Sequence, residues 1–411
     1  MRAKETECAW DDFFKKQKVL NKINKKGIYT LPEKELVKFS LKINENNIPK
    51  ILKDNEIEIL QVAPNKYVLG KFYLREKLPE WSTKDINLVE FPSWLNAIDA
   101  NNVCARTSII PLAHYSNIFK KFFNDENLAY IGQIETKSDE FEGYISGKKI
   151  KIDGLELKID GILESKDRIV IIKTIDRIAD CFSVKDLYYP YRKFKQTVNK
   201  PIQAVLLIYS MGVFRVLEYG FKEEKILNSI YLVNDKKYSF ESMALTKENL
   251  INLLENVKED DTNNGVVFPQ FNDLNKIISV LEQLNIKSMG KDTLKNTFNF
   301  DDKQVDACIN SLKYLSLVSV KKGNYCLTDK GQGLFELPIN KRLMKFIEII
   351  IEKPVFNYLL KISLESDKTL NKYEIKDVLV TFDVVKESSK LDNKTMTAKA
   401  WIDWITGLKL I

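Results

Sequence analysis

A carboxylate and a lysine lie on two neighbouring predicted strands, in the stretch from Glu156 to Arg192. Asp160 belongs to a segment in which apolar and charged residues alternate, and Lys173 lies near the end of a second, mostly apolar segment, Arg168 to Thr174. Polar residues 165–167 between the segments predict a turn, so the two strands should form a hairpin. A carboxylate can bind Mg²⁺ and a lysine can offset charge on a phosphate, so this pair suits phosphodiester chemistry.

The charge of this candidate pocket argues against tight binding of Mg²⁺. Side chains two residues apart on a strand face the same side, so Lys158 should accompany Asp160, and Ile171 should accompany Lys173. Position 171, on the same side as Lys173, is Ile and offers no second carboxylate for a metal ion. One pair of charges at about 4 Å is worth roughly 4 kcal/mol at a surface-like dielectric. Two lysines and one carboxylate should therefore attract a phosphodiester and repel a dication, with Asp160 as the only metal ligand.

A carboxylate from elsewhere in the chain could complete the metal site. Glu164, close to the predicted turn, is a catalytic candidate beside Asp160 and Lys173. Glu135 and the acidic residues 139–142 could also approach from outside the hairpin. With one of these in place, the chain would be an active Mg²⁺-dependent endonuclease.

A tyrosine-rich basic segment follows the hairpin. Residues 185–198 predict a helix interrupted by Pro190, in which aromatic and basic side chains are interleaved. Such residues suit contact with nucleic-acid backbone and bases, although the tyrosines could instead pack under the sheet while the lysines stay solvated. The candidate nucleic-acid contacts of the hairpin and this segment are Lys158, Tyr188, Tyr189, Arg192, Lys193 and Lys195.

Residues 272–336 have the pattern of a winged helix, with three helices followed by a basic hairpin. Its third helix, Asp301 to Leu315, would enter a major groove, and the lysines of the hairpin would reach phosphates. Gln and Asn can read adenine, and Lys can read guanine or phosphate. The candidate contacts are Lys303, Gln304, Asn310 and Lys313 on the helix, and Lys321 and Lys322 on the hairpin. Winged helices also bind other proteins, so that alternative stays open.

The chain divides into four predicted regions. Residues 1–127 form an N-terminal α/β accessory region, and residues 128–258 form a mixed α/β core of strand, strand, helix, buried strand and strand. The winged helix at 272–336 follows an acidic linker. Residues 337–411 are helical, with a second winged helix as one option.

Composition sets outer limits on function. The chain has 411 residues, 44% hydrophobic and 29% charged, which is typical of a folded protein with two or three domains. A net charge of +7 and a pI near 8.8 favour polyanions only mildly. Five scattered cysteines and one histidine argue against a structural zinc site. No apolar run of about 18 residues and no apolar signal core occur, so we expect a cytoplasmic protein without a membrane span.

The hairpin, the segment DLYYPYRKF at 186–194 and the strands after it resemble a group of type II restriction endonucleases with a PD-(D/E)xK core. Asp160, Glu164, Lys173 and residues 187–192 match the motifs of that group. The sequence departs from them at Lys158, Ile171 and Asp186, which stand in place of Glu, Glu and Gln.

The resemblance implies a restriction-endonuclease-like fold, double-stranded DNA as the partner and Mg²⁺ as the cofactor of an active member. It also implies a role in restriction–modification or phage defence. Because the departures fall on acidic positions, we expect DNA binding with weak or absent cleavage, by a homodimer or together with an active nuclease subunit. Two alternatives remain: an active endonuclease with a relocated carboxylate, and a non-enzymatic winged-helix regulator.

Overall fold

A computed structural model describes residues 3–32, 49–82, 85–98, 106–240, 245–260, 266–366, 369–384 and 391–407. The fold is α+β, with a seven-stranded mixed sheet at its centre, a small sheet before it and a mainly helical part after it. This confirms the mixed α/β class predicted from the sequence.

The N-terminal part is a three-stranded antiparallel sheet packed against helices. Its apolar cluster surrounds the fully buried Trp10 and includes Phe13 and Leu69. Residues 58–70 form a hairpin, with Asn65 in the left-handed region at the turn. The elements are α1 (Ala3–Gln17), α2 (Val19–Lys26), β1 (Ile28–Thr30), α3 (Lys50–Asp54), β2 (Glu58–Ala63) and β3 (Lys66–Gly70).

The central sheet has the strand order β5-β14-β13-β12-β10-β9-β6. The pairs β10–β12 and β14–β5 are parallel and the other pairs are antiparallel, while β4–β11 and β7–β8 form separate two-stranded ribbons. The strands are β4 (Arg75–Lys77), β5 (Ile86–Leu88), β6 (Ala129–Lys137), β7 (Phe141–Ile145), β8 (Lys148–Ile152), β9 (Glu156–Glu164), β10 (Ile169–Ile175), β11 (Cys181–Ser183), β12 (Ile202–Ser210), β13 (Val213–Phe221) and β14 (Ile230–Ser239).

Helices cover both faces of this sheet. On one face, α4 (Arg106–Tyr115) and α5 (Ile118–Phe123) share an apolar cluster with Val170 and Ile172 of β10. On the other, α6 (Lys185–Thr197) shares a cluster with Ile169 and Ile171. A strand that is covered on both faces has apolar residues at nearly every position. The sequences of β10 and β12 therefore do not alternate between apolar and polar residues.

The sheet begins before the predicted boundary at residue 127. Ile86–Leu88 pairs with β14, Arg75–Lys77 pairs with β11, and α4 and α5 cover one face. The core unit therefore starts near residue 70. These pairings join segments roughly 100 or more residues apart, and local sequence patterns carry no information about them.

Three helices and a hairpin follow in the predicted order. We call residues 274–327 the winged unit. Its strands form a small sheet of order β15-β17-β16. The elements, with one preceding helix, are α7 (Lys247–Asn256), α8 (Leu274–Ile286), β15 (Met289–Gly290), α9 (Lys291–Phe298), α10 (Asp302–Tyr314), β16 (Val318–Lys321) and β17 (Asn324–Leu327).

The described residues beyond Leu327 form helices and no strand, so a second winged helix is not found there. Trp401 is fully buried, stacks on Phe356 at 5.0 Å and donates its indole N–H to the Phe271 carbonyl, so it belongs to the core. The helices are α11 (Asp329–Glu336), α12 (Ile339–Ile351), α13 (Pro354–Ser366), α14 (Lys372–Thr381) and α15 (Leu391–Gly407).

Helix α8 joins the winged unit to the central sheet. Lys276, Ser279 and Gln283 occupy one face of this helix at i, i+3 and i+7. Lys276 pairs with Asp180 at 2.8 Å, Ser279 Oγ accepts the Ile178 N–H at 3.0 Å, and the Gln283 amide donates to the Asp176 carbonyl at 2.8 Å. The three contacts hold the segment that directly follows β10, so the winged unit is attached to the strand that carries Lys173.

Candidate phosphodiester site

The structure brings Asp160 and Lys173 together on neighbouring strands. Gly161 of β9 pairs with Ile172 of β10, which sets Asp160 beside Lys173 across the ladder. The Lys173 ammonium lies 3.2 Å from Asp160 Oδ2, and the Thr174 N–H donates to the same oxygen at 2.9 Å. The predicted juxtaposition is confirmed, and the carboxylate is held from two sides.

A β-bulge sets the direction of Asp160. On β6, Gly132 pairs with Ile162 and Ile134 pairs with Ile159, so residues 160 and 161 of β9 together oppose a single residue of β6. A bulge breaks the strict alternation of faces and re-aims the side chain that it carries. Ile159 and Ile162 consequently pack in the same apolar cluster, while Asp160 stays partly exposed beside Lys173.

An open cleft of about 170 Å³ adjoins Lys173, and we call it the lysine cleft. Three lysines, Lys158, Lys173 and Lys185, and two carboxylates, Glu156 and Asp186, contribute the charged groups of its lining. Lys185 is the first residue of α6, whose N-terminus adds positive potential. The lining therefore has a small excess of positive charge.

Lys185 is a site residue that sequence reasoning missed. It lies immediately before the tyrosine-rich segment, and its position at the start of the predicted helix was the available signal.

Position 171 offers no ligand for a metal. The Ile171 side chain is 1% exposed and packs with Ile162 and Leu187 under α6. Asp160 is the remaining carboxylate of the motif, and its Oδ2 already accepts from Lys173 and Thr174. Within the described residues, no three His, Cys, Asp or Glu side chains converge as metal ligands. Because Mg²⁺ requires several hard oxygen ligands, this donor set does not fit it.

The candidate replacement carboxylates have other partners. Glu135 lies directly across the ladder from Lys158, and their charged atoms are 3.4 Å apart at an exposed position. Glu164 pairs with Lys200 at the far end of β9, four residues and about 13 Å along the strand from Asp160. The structure therefore does not place Glu164 with Asp160 and Lys173, contrary to the prediction of a shared catalytic site.

The tyrosines and the arginine of α6 lie in the core. Tyr188 and Tyr189 are buried, and burial raises the pKa of both phenols. The Arg192 side chain is 4% exposed, and its guanidinium lies over the Phe141 ring at 4.9 Å. It donates hydrogen bonds to the Tyr188 hydroxyl and the backbone carbonyls of residues 142 and 224. These three residues are buried, so the predicted DNA contacts would require the core to open or, for Tyr189, a contact at its edge in the lysine cleft.

The lysines of the same helix differ in their surroundings. Lys193 pairs with Asp139 at 2.7 Å and is partly covered, whereas Lys195 is exposed to solvent. Lys195 is thus the predicted α6 contact that a polyanion could reach without displacing a protein partner.

The winged unit exposes most of its predicted contacts. Lys303 and Asn310 are exposed on α10, and Lys313 is partly exposed. Gln304 is engaged in a capping box with Asp301, its side-chain oxygen accepting the Asp301 N–H at 2.9 Å. At the hairpin tip, Lys322 and Gly323 have φ values of 50° and 78°, so a tight two-residue turn presents Lys321 and Lys322 to solvent.

Acidic residues share the exposed side of α10. Asp302 pairs with Lys295 at 3.0 Å and Asp306 pairs with Lys291 at 2.7 Å, so two lysines of α9 offset them. Residues 272–336 contain nine lysines and eight acidic residues. The positive charge available to a phosphate backbone is therefore local, at the hairpin tip and the outer face of α10.

Two parts of the chain match family models. Residues 70–239 match a domain of unknown function (DUF6997), and residues 276–409 match another domain of unknown function (DUF7226). The first match covers the central sheet with β4 and β5, in agreement with a core that begins near residue 70. Comparison with curated proteins and with solved structures found no match. Among the described residues, no helix has the length and apolarity needed to cross a bilayer.

Proposed function

We propose that this chain binds double-stranded DNA through the lysine cleft and the winged unit, with a core related to restriction endonucleases that has lost its magnesium site. The observation that carries the proposal is the Asp160–Lys173 pair beside a buried Ile171. In this arrangement the Lys173 side chain neutralises the carboxylate that would otherwise bind Mg²⁺, and Lys158 and Lys185 add positive charge to the cleft.

The contacts of α8 support a single binding surface. This helix holds the segment after β10 at three points, so the winged unit and the lysine cleft keep a fixed relation to each other. Rigid placement lowers the entropic cost of binding at two points.

The first test removes two cleft lysines. We expect Lys158→Ala with Lys185→Ala to weaken duplex binding about tenfold and to lower the slope of log K against log salt by about 2, since each of these lysines is proposed to contact one phosphate. Fluorescence anisotropy of a labelled duplex at several salt concentrations measures both quantities. Lys372→Ala with Lys376→Ala, which removes two exposed lysines of α14, is the matched control. An equal loss in both double variants would refute a role for the cleft.

The same protein tests the alternative of an active endonuclease. We expect no specific fragments when plasmid or phage DNA is incubated with the wild-type chain and Mg²⁺. Fragments that disappear with Asp160→Ala would overturn the proposal in favour of catalysis with a relocated carboxylate.

A second test addresses the winged unit. We expect Lys321→Ala with Lys322→Ala to weaken binding of all duplex sequences alike, whereas Asn310→Ala should relax preference at one base pair, by about 1–3 kcal/mol. Selection from a random duplex library, before and after each change, separates the two effects. If the winged-unit variants abolish binding while the cleft variants leave it unchanged, the chain is a regulator that does not use the cleft.

A further inference from the structure

A second, larger groove lies between the N-terminal sheet and the winged unit. Its volume is about 500 Å³, and it is open to solvent along one side. One wall comes from α3, β2 and the segment 71–75, and the other comes from the end of α9 and the residues after it. The charged groups of the lining are Lys53, Lys71, Arg75, Lys295, Glu56 and Glu58. Cations thus outnumber carboxylates by two.

The segment 71–75 presents a regular row of side chains to this groove. Phe72 and Leu74 are buried, whereas Lys71 and Tyr73 are exposed and Arg75 is partly exposed. In extended backbone, side chains two residues apart repeat at about 6.6 Å on the same side. A cation, an aromatic ring and a second cation therefore follow each other at a spacing similar to that of nucleotides in an extended strand.

Tyr73 projects its ring into solvent from a fixed backbone. Its side chain is 75% exposed, although its own N–H donates to Ser146 Oγ at 2.8 Å and its carbonyl accepts from the Asn228 amide. A single exposed aromatic is ordinary on a protein surface. An exposed aromatic ring on a fixed backbone, with a cation two residues before and after it and the amides of Asn296 and Asn299 on the opposite wall, is the composition of a surface on which bases stack.

The groove adjoins the lysine cleft. The Val184 N–H donates to the Leu74 carbonyl at 2.8 Å, and Arg75 pairs with Ser183 in the β4–β11 ribbon. Lys185 of the cleft directly follows Val184. The β4–β11 ribbon therefore lies between the row of residues 71–75 and the cleft.

We propose that this groove binds a single-stranded segment of DNA, with Tyr73 stacked on an unpaired base and Lys53 and Lys71 on the phosphates beside it. The inference rests on the proposed binding of DNA by the cleft and extends it, because a ring can stack in this way only on a base that has no partner. The groove would hold one strand where the duplex is frayed or opened next to the cleft.

Anisotropy of a labelled oligothymidine with the full chain tests this site. We expect Tyr73→Ala to weaken binding about tenfold or more, Tyr73→Phe to retain it, and duplex affinity to change little in either. Tyr373→Ala is the control, since Tyr373 is 80% exposed on α14 outside the groove lining. Lys71→Ala should lower the salt slope for oligothymidine by about 1, while Lys66→Ala, an exposed lysine of β3, should not.

The outcomes separate the two proposals. Binding of duplex but not of oligothymidine by the wild-type chain would overturn the single-strand site and leave the proposed function intact. Failure to bind either would overturn both. Equal effects of Tyr73→Ala and Tyr373→Ala, or loss of binding in Tyr73→Phe, would show that the ring does not act by stacking.

Discussion

Replacing Arg192 by Ala is expected to lower the free energy of unfolding by about 3–5 kcal/mol. The guanidinium is buried, donates to three oxygen acceptors and covers the Phe141 ring. Truncation removes a donor from the buried Tyr188 hydroxyl and from the carbonyls of residues 142 and 224, although the 224 carbonyl keeps the hydrogen bond from Tyr188. It also leaves a space between Phe141 and Tyr188.

Urea unfolding followed by circular dichroism measures this loss. Lys195→Ala is the matched control, because it removes a positive charge from the exposed side of the same helix and should change stability by no more than about 0.5 kcal/mol. If Arg192→Ala were as stable as the wild type and only its DNA affinity fell, Arg192 would be a DNA contact, as the sequence predicts, and not a buried core residue.

Replacing Ile171 by Glu, which restores the residue expected by the motif, should destabilise the protein by about 3–5 kcal/mol and should not produce a nuclease. Ile171 packs against Ile162 and Leu187 with 1% of its surface exposed. A carboxylate there would have to be buried without a hydrogen-bond donor or to force α6 away from the sheet. Lys173, which already holds Asp160, could pair with only one of the two carboxylates.

Thermal unfolding with and without Mg²⁺ measures this effect. Ile171→Val is the control for lost packing, with an expected cost of about 0.5–1.5 kcal/mol. A midpoint for Ile171→Glu that Mg²⁺ raises to the wild-type value would mean that Asp160 and residue 171 do form a metal site. That result would also mean that the single substitution at position 171 accounts for the proposed loss of the magnesium site.

Several polar groups of the hairpin and of α6 already have partners within the protein. Lys173 and Asp160 pair with each other, and Arg192 donates a hydrogen bond to the Tyr188 hydroxyl in the core. The lysines that a polyanion can reach from solvent are Lys195, Lys303, Lys321 and Lys322, together with Lys158, whose ion pair with Glu135 is itself exposed. Their contribution to binding should depend strongly on salt.

Local patterns in the sequence are sufficient to predict the strands and the helix around the site. The alternation before Asp160 predicts a strand because side chains of a strand alternate between its two faces. The apolar runs of β10 and β12 also predict strands, because a strand buried on both faces carries apolar residues at successive positions. The helix α6, the hairpin at Asn65 and the order of elements in the winged unit follow from comparable short-range rules. So does the meeting of Asp160 with Lys173, since a hairpin places its two strands side by side.

Only the tertiary structure decided which of the chemical groups face solvent. Arg192 and Lys195 have similar charge and neighbouring positions, yet packing against Phe141 buries one and leaves the other exposed. Pairing of β4 and β5 with distant strands, the bulge at Asp160 and the arrival of Lys185 at the cleft arise from contacts between segments far apart in the chain. Such contacts depend on how several elements pack at once, and no short stretch of sequence determines them.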